Sequence, residues 1–299
     1  MPADVLSSVL PFVVWFAGTV AVGYLVVYWF KHRVATEKTP LVRFLLHGPG
    51  EPLRRRLVAI DAKLDLYLLL LLFSPPLLAA LLLARQATCA PSRFPFSWLI
   101  FFILALAVLL VAALFISMLR LLAERRRQAF ALDCHQAVGQ ELNLLMRSGY
   151  GVFHGFPAEG YCIDHVLVGP AGVYAVATEG RSRPRQLQSG EERVFYDGKI
   201  LSFPGWQETG PVARVGQQAD WLADWLTRVV GEPVSVKGVV FLPGWIVEAS
   251  GRHAVSVINE QSASLLANPR GEQALDAESV QRIAYQIEQR CRNMTGDGC

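Results

Sequence analysis

Residues 162–178 read CIDHVLVGPAGVYAVAT, and this stretch decides the fold of the second half of the chain. Two apolar runs, residues 163–168 and 173–178, are separated by the Gly-Pro-Ala-Gly segment of residues 169–172. Valine and isoleucine favour strands, whereas glycine and proline favour tight turns. The stretch therefore predicts a β-hairpin inside a sheet.

The residues around this hairpin predict further helices and strands. A helix extends through residues 120–146 and ends at Gly149, and a strand comes next at residues 151–156. After the central hairpin we expect a second hairpin at 193–203, a helix at 212–230, strands at 234–242 and 254–258, and a helix at 277–292. This order predicts a mixed α/β sheet with helices packed against it.

The first part of the chain predicts a membrane domain. Hydrophobic residues make up 53% of the sequence, and the excess is concentrated in three runs at about residues 9–30, 66–84 and 98–119. A helix needs ~20 apolar residues to cross the bilayer core. We therefore expect three transmembrane helices within residues 1–127, followed by a soluble domain at residues 128–299.

The distribution of basic residues predicts the orientation in the membrane. The loop of residues 31–63 carries eight Lys and Arg, whereas the loop between the second and third spans has only Arg85 and Arg93. Basic loops stay on the cytoplasmic side. The N-terminus is thus expected outside and the C-terminal domain in the cytoplasm, with the lipid bilayer of the inner (cell) membrane as a partner. The spans contain no Asp, Glu, Lys, Arg or His, which argues against transport.

Three segments of the soluble half share residues with one known family. They are Gly139-Gln140-Glu141, the hairpin block of residues 163–174, and residues 210–218, which read GPVARVGQQ. Together they resemble the nuclease-related domain (NERD) family over roughly residues 130–245. The resemblance implies a restriction-endonuclease-like core.

The family pattern places a glutamate on a helix, an aspartate on a strand and Glu-x-Lys on the next strand. These groups suit phosphodiester hydrolysis, in which carboxylates hold a divalent metal such as Mg²⁺ that activates water. The resemblance assigns the helix acid to Glu141 and the strand acid to Asp164. The Glu-x-Lys position reads Ala177-Thr178-Glu179, so the metal-binding glutamate is an alanine and the lysine is a glutamate.

The remaining acids could still form a catalytic trio of Glu141, Asp164 and Glu179, with Asp164 and Glu179 as ligands of Mg²⁺. The candidate substrate-binding residues are Arg181, Arg214 and Gln218, and the two arginines could supply the positive charge that the lost lysine provided. Plainer interpretations remain open: Glu141 as a solvated or capping acid, and Glu179 as half of a surface ion pair with a nearby arginine.

The substitutions at Ala177 and Glu179 affect the two residues that the chemistry needs most. They favour a membrane-anchored module that binds nucleic acid or protein and is inactive or weakly active. The alternatives are an active metal-dependent nuclease and a membrane scaffold. Residues 128–299 hold 14 Lys and Arg against 19 Asp and Glu, a net charge of −5, which argues against strong non-specific binding of nucleic acid.

Overall fold

The computed structural model describes residues 48–88, 97–182, 192–251, 253–267 and 274–293. These residues divide into two compact units near Arg126. The first unit contains residues 58–126 of the described chain. The second contains everything described after Arg126, together with the short stretch that ends at Leu57.

Two long helices dominate the first unit. Helix α1 spans Glu51–Thr88 and helix α2 spans Ser97–Leu144, so they include the predicted spans 66–84 and 98–119. Among the described residues, one helical stretch, Ala105–Ser148, is long and apolar enough to cross a membrane, and an 18-residue window within it has a mean hydropathy of 2.6. The span predicted at 9–30 lies outside the described residues. One apolar helix is thus shown, and a set of three remains a prediction.

An ion pair joins α1 and α2 within the first unit. Arg125 Nε donates a hydrogen bond to Asp61 Oδ1 at 2.6 Å. Towards the other end of both helices, large apolar side chains such as Leu72, Val108 and Leu109 are exposed. Exposed apolar surface of this extent indicates contact with lipid or with another protein.

The second unit contains two sheets. The larger one has the order β1-β2-β3-β7-β9, and its strands are β1 (Gly151–Pro157), β2 (Cys162–Gly169), β3 (Gly172–Thr178), β7 (Val236–Phe241) and β9 (Val255–Ile258). Strands β1 to β3 are antiparallel, whereas β3, β7 and β9 are parallel. The sheet is therefore mixed, as the sequence predicts.

The central hairpin is confirmed. Strands β2 and β3 pair with Gly169 opposite Gly172, and Gly172 has a φ of 122°. A residue with a side chain rarely adopts this backbone conformation. The glycine at the end of the turn is thus what permits the tight reversal.

The second sheet corrects the prediction of a single sheet. Its order is β6-β5-β4-β8, and it consists of β4 (Arg193–Tyr196), β5 (Leu201–Phe203), β6 (Trp206–Glu208) and β8 (Ile246–Ala249). The predicted hairpin of residues 193–203 is present, but β4 pairs in parallel with β8. Strands β6 and β8, which are three and four residues long, were not predicted.

Helices cover both faces of the larger sheet. Helix α3 (Gly210–Val230) packs Ala219 and Leu222 against one face, where they meet Val166, Val168, Val173 and Ala175. The end of α2 packs Val138 and Leu142 against the other face, where they meet Leu167, Tyr174 and Val176. Helix α4 (Ala277–Asn293) adds Ile283 and Ile287 to the first cluster. Alternation along β2 and β3 thus supplies two separate cores.

Candidate functional site

Glu179 lies at the end of β3, where the family pattern expects lysine. Its backbone N–H donates to the carbonyl of Phe241 at 2.9 Å, so the chain is still held beside β7. The residue is only 5% exposed. Oε2 lies 2.9 Å from Arg181 Nη1, and Oε1 contacts Arg214 Nη2. Both carboxylate oxygens therefore face a guanidinium group.

Arg181 is shared between two carboxylates. Besides Glu179, it donates from Nε to Glu208 Oε1 at 3.0 Å and from Nη2 to Glu208 Oε2 at 2.6 Å. This hydrogen bonding lowers the pKa of Glu208. The Trp245 indole donates to the carbonyl of Arg181 at 3.0 Å. The predicted pairing of Glu179 with an arginine is thus observed, but it is a buried ion pair and not a surface one.

Asp164 lies where β2 and β3 separate. The last paired residues of the ladder at this end are His165 and Val176. Beyond them Asp164 Oδ2 accepts a hydrogen bond from the backbone N–H of Thr178 at 2.9 Å. Burial raises the pKa of Asp164, while the charges of His135 and Arg214 and the Thr178 N–H act in the opposite direction. Asp164 is therefore a desolvated carboxyl within the electrostatic range of Arg214.

Glu141 lies on α2 beside Leu142 and is partly exposed. Within the part of the chain that the structure describes, no three His, Cys, Asp or Glu side chains gather so as to hold a metal ion. The structure therefore brings Asp164 and Glu179 close to Arg214 without placing Glu141 in a common ligand set. The catalytic roles of these three acids remain predictions.

This donor set does not fit a resident Mg²⁺ ion. Mg²⁺ requires octahedral coordination by oxygen atoms that are free to ligate it. Here both oxygens of Glu179 are committed to guanidinium groups, and Ala177 replaces the expected ligand. Ala177 is 2% exposed, so the position is filled by a packed methyl group.

The candidate substrate-binding residues differ in how far solvent reaches them. Arg214 is the most accessible, with 56% of its side chain exposed. Gln218 lies one helical turn further along α3 and is buried, and its Oε1 has no hydrogen-bond partner among the described residues. A ligand in the solvent could thus contact Arg214 directly but not Gln218.

A chain of hydrogen bonds through two histidines was not anticipated from the sequence. His165 is fully buried, with Nδ1 2.7 Å from His154 Nδ1 and Nε2 3.0 Å from Thr178 Oγ1. His154 Nε2 reaches Asn143 Oδ1 at 3.3 Å. Burial lowers the pKa of both histidines, that of His154 to about 4. Both are therefore neutral at pH 7, and His165 links His154 on β1 to Thr178 on β3.

A known protein family matches the central part of the chain. Residues 132–243 match the family model described as the nuclease-related domain. The match begins in α2 and ends just after β7, and it includes Glu141, Asp164, Glu179 and Arg214. It confirms the resemblance predicted from the sequence for this segment of the chain. No curated protein and no solved structure matches the chain.

Proposed function

We propose that this chain anchors a nuclease-related domain at a membrane, where the domain binds a partner without cleaving it. The end of β3 carries this proposal. Buried Ala177 takes the place of the metal-binding glutamate of the family, and Glu179 takes the place of the lysine with both oxygens engaged by arginines.

The chemistry explains why these two positions matter. Phosphodiester hydrolysis builds negative charge on the phosphate and on the attacking oxygen, and enzymes stabilise it with metal ions and cationic side chains. A carboxylate at residue 179 places negative charge where positive charge is needed. Alanine at residue 177 removes one ligand of the metal. Both changes weaken the same transition state.

Nucleic acid is the ligand class to test first, because residues 132–243 match a nuclease-related family. Exposed Arg214 is the side chain best placed to contact a phosphate, since guanidinium groups bind phosphate oxygens in pairs. The net charge of −5 for residues 128–299 opposes non-specific coating of nucleic acid. We therefore expect nucleic acid to bind at a small surface around Arg214. If nucleic acid does not bind, the alternative ligand is a protein.

Membrane anchoring is supported by the apolar stretch that begins at Ala105 and by the basic residues after it. Between Ala105 and Leu119 the exposed side chains are all apolar, and they include Leu106, Val108 and Phe115. Four arginines lie between residues 120 and 127, as is typical of the cytoplasmic end of a span. The soluble domain is thus proposed to lie on the cytoplasmic side.

Cleavage is tested with the full-length protein in detergent, incubated with labelled DNA or RNA and with Mg²⁺ or Mn²⁺. The matched control is Asp164→Asn, which keeps the side-chain shape and the acceptor for Thr178 N–H. We expect the wild type and the variant to give the same background. Metal-dependent cleavage by the wild type that disappears in the variant would refute the proposal.

Binding is measured in the same preparation by fluorescence anisotropy of labelled oligonucleotides. Arg214→Ala is expected to weaken binding, whereas Arg228→Ala is not. Arg228 lies on the same helix, where its Nε bonds to the backbone carbonyl of Asp224. If the wild type binds neither DNA nor RNA, nucleic acid is excluded as the partner and a protein partner takes its place.

A further inference from the structure

Arg214 lies in the second turn of α3, directly beside the end of β3. Its Nη2 contacts Glu179 Oε1. The carboxylate of Asp164 is bonded to the N–H of Thr178 at 2.9 Å, the residue that immediately precedes Glu179. Arg214 therefore contacts Glu179 directly, and its positive charge also acts to lower the pKa of Asp164; these are the two acids that would have to supply oxygen ligands to a metal.

Arg181, a second cation near this site, cannot fully neutralise the charge of Glu179. Arg181 contacts Oε2 of Glu179, but its Nε and Nη2 bond to Glu208. The positive charge of Arg181 is thus divided between two carboxylates. Arg214 has no second carboxylate in ion-pair contact among the described residues, so its charge serves Glu179 and the neighbouring Asp164.

We infer that the guanidinium of Arg214 has replaced the metal cation between Asp164 and Glu179, and that removing it creates a divalent-metal site. This inference depends on one part of the proposed function, namely that the domain does not cleave nucleic acid. It adds that the positive charge that neutralises Asp164 and Glu179 comes from a side chain of the protein and not from a metal ion. The domain then folds and binds without a divalent metal, and Arg214 determines that property.

The physical reason is the cost of buried charge. A carboxylate that is 5% exposed must be paired or must take up a proton. A guanidinium group is planar, always charged, and donates several hydrogen bonds in a fixed geometry. It satisfies carboxylate oxygens at hydrogen-bond distance and excludes a metal ion from the same oxygens. Without it, Glu179 keeps only part of the charge of Arg181, which favours capture of a cation.

The test measures Mn²⁺ binding to the full-length protein in detergent, with no nucleic acid present. Electron paramagnetic resonance counts free Mn²⁺, and thermal unfolding with Mn²⁺ or EDTA reports stabilisation by bound metal. The wild type is expected to bind no Mn²⁺ at this site and to show the same midpoint in both solutions. Arg214→Ala is expected to gain a bound Mn²⁺ that the wild type lacks and to unfold at a higher temperature with Mn²⁺ than with EDTA.

Two controls isolate the site. Arg228→Ala removes an arginine from the same helix and is expected to behave as the wild type. Arg214→Ala combined with Asp164→Asn is expected to lose the gained Mn²⁺. Arg214→Gln is measured as well, because it keeps a polar side chain of similar length if the alanine variant folds poorly.

The inference is overturned if the wild type binds Mn²⁺ in a way that Asp164→Asn abolishes. It is also overturned if neither Arg214→Ala nor Arg214→Gln binds more Mn²⁺ than the wild type. These results are separate from the proposed function, which fails only if the wild type cleaves nucleic acid in a manner that depends on Asp164.

Discussion

Replacing Glu179 by glutamine tests the central ion pair of the site. The substitution keeps the size of the side chain and removes its charge. Glutamine has one oxygen and one amide nitrogen, so only one of the two arginines can still donate to it. The other guanidinium group then faces a second donor, in a position that is 5% exposed and offers little water to separate them.

The expected cost depends on the two contacts. Hydrogen bonds to charged groups contribute about 1.5–3 kcal/mol each. The loss is reduced because Arg214 is 56% exposed and Arg181 keeps Glu208. We therefore expect a net destabilisation of about 2–3 kcal/mol. For a domain of this size, 1 kcal/mol lowers the midpoint by about 2–4 °C, so Glu179→Gln should lower it by about 4–12 °C.

The assay is thermal unfolding of the full-length protein in detergent, monitored by tryptophan fluorescence. Trp245 is buried and donates to the carbonyl of Arg181, so it reports directly on this region. The control is Glu248→Gln, which removes the charge from an exposed pair with Arg193 and should cost less than about 1 kcal/mol. Equal shifts for the two variants would show that Glu179 is not held as a buried ion pair.

Three further predictions concern pH and packing. Because burial raises the pKa of Asp164, Asp164→Asn should stabilise the protein at pH 7, and denaturant titrations should show this gain shrinking as the pH falls towards the ordinary value of 3.8. Burial lowers the pKa of His154 from 6.5 to about 4, so as the pH falls this histidine binds a proton in the unfolded chain before it does in the folded one. The free energy of unfolding should therefore decrease as the pH falls from 6.5 to about 4, and His154→Gln should make it depend less on pH in that range. An added Cβ at Gly169 would lie 2.3 Å from the Tyr150 ring, so Gly169→Ala should cost about 1–3 kcal/mol, whereas Gly210→Ala, which meets nothing within 4 Å, should leave the thermal midpoint unchanged.

Local patterns in the sequence were sufficient to predict the elements that lie next to one another in the chain. The hairpin of residues 163–178 was predicted from two runs rich in strand-forming residues and the glycine turn between them, and it is observed as Cys162–Gly169 and Gly172–Thr178. Strand β8 was missed because its partner β4 lies some fifty residues earlier in the sequence. Pairing at that distance leaves no local periodicity that a sequence pattern can reveal.

The candidate site shows the same division between local and distant information. The family motif located Asp164 and the altered residues at 177 and 179. It could not show that Arg214, 35 residues after Glu179 in the sequence, contacts that carboxylate, because the contact depends on how α3 packs beside β3. The pairing of His154 with His165 likewise depends on the register of β1 and β2.

The ion pair between Glu179 and Arg214 also constrains how the Glu-x-Lys pattern of the family could be introduced at residues 177–179. Changing Glu179 alone to lysine would place three cations together in a region with little solvent, and changing Ala177 alone to glutamate would force an unpaired acid into a packed position. Each first step would lower stability before any activity appeared. Introducing the family pattern would therefore require coordinated replacement of several residues, because each single substitution is unfavourable on its own.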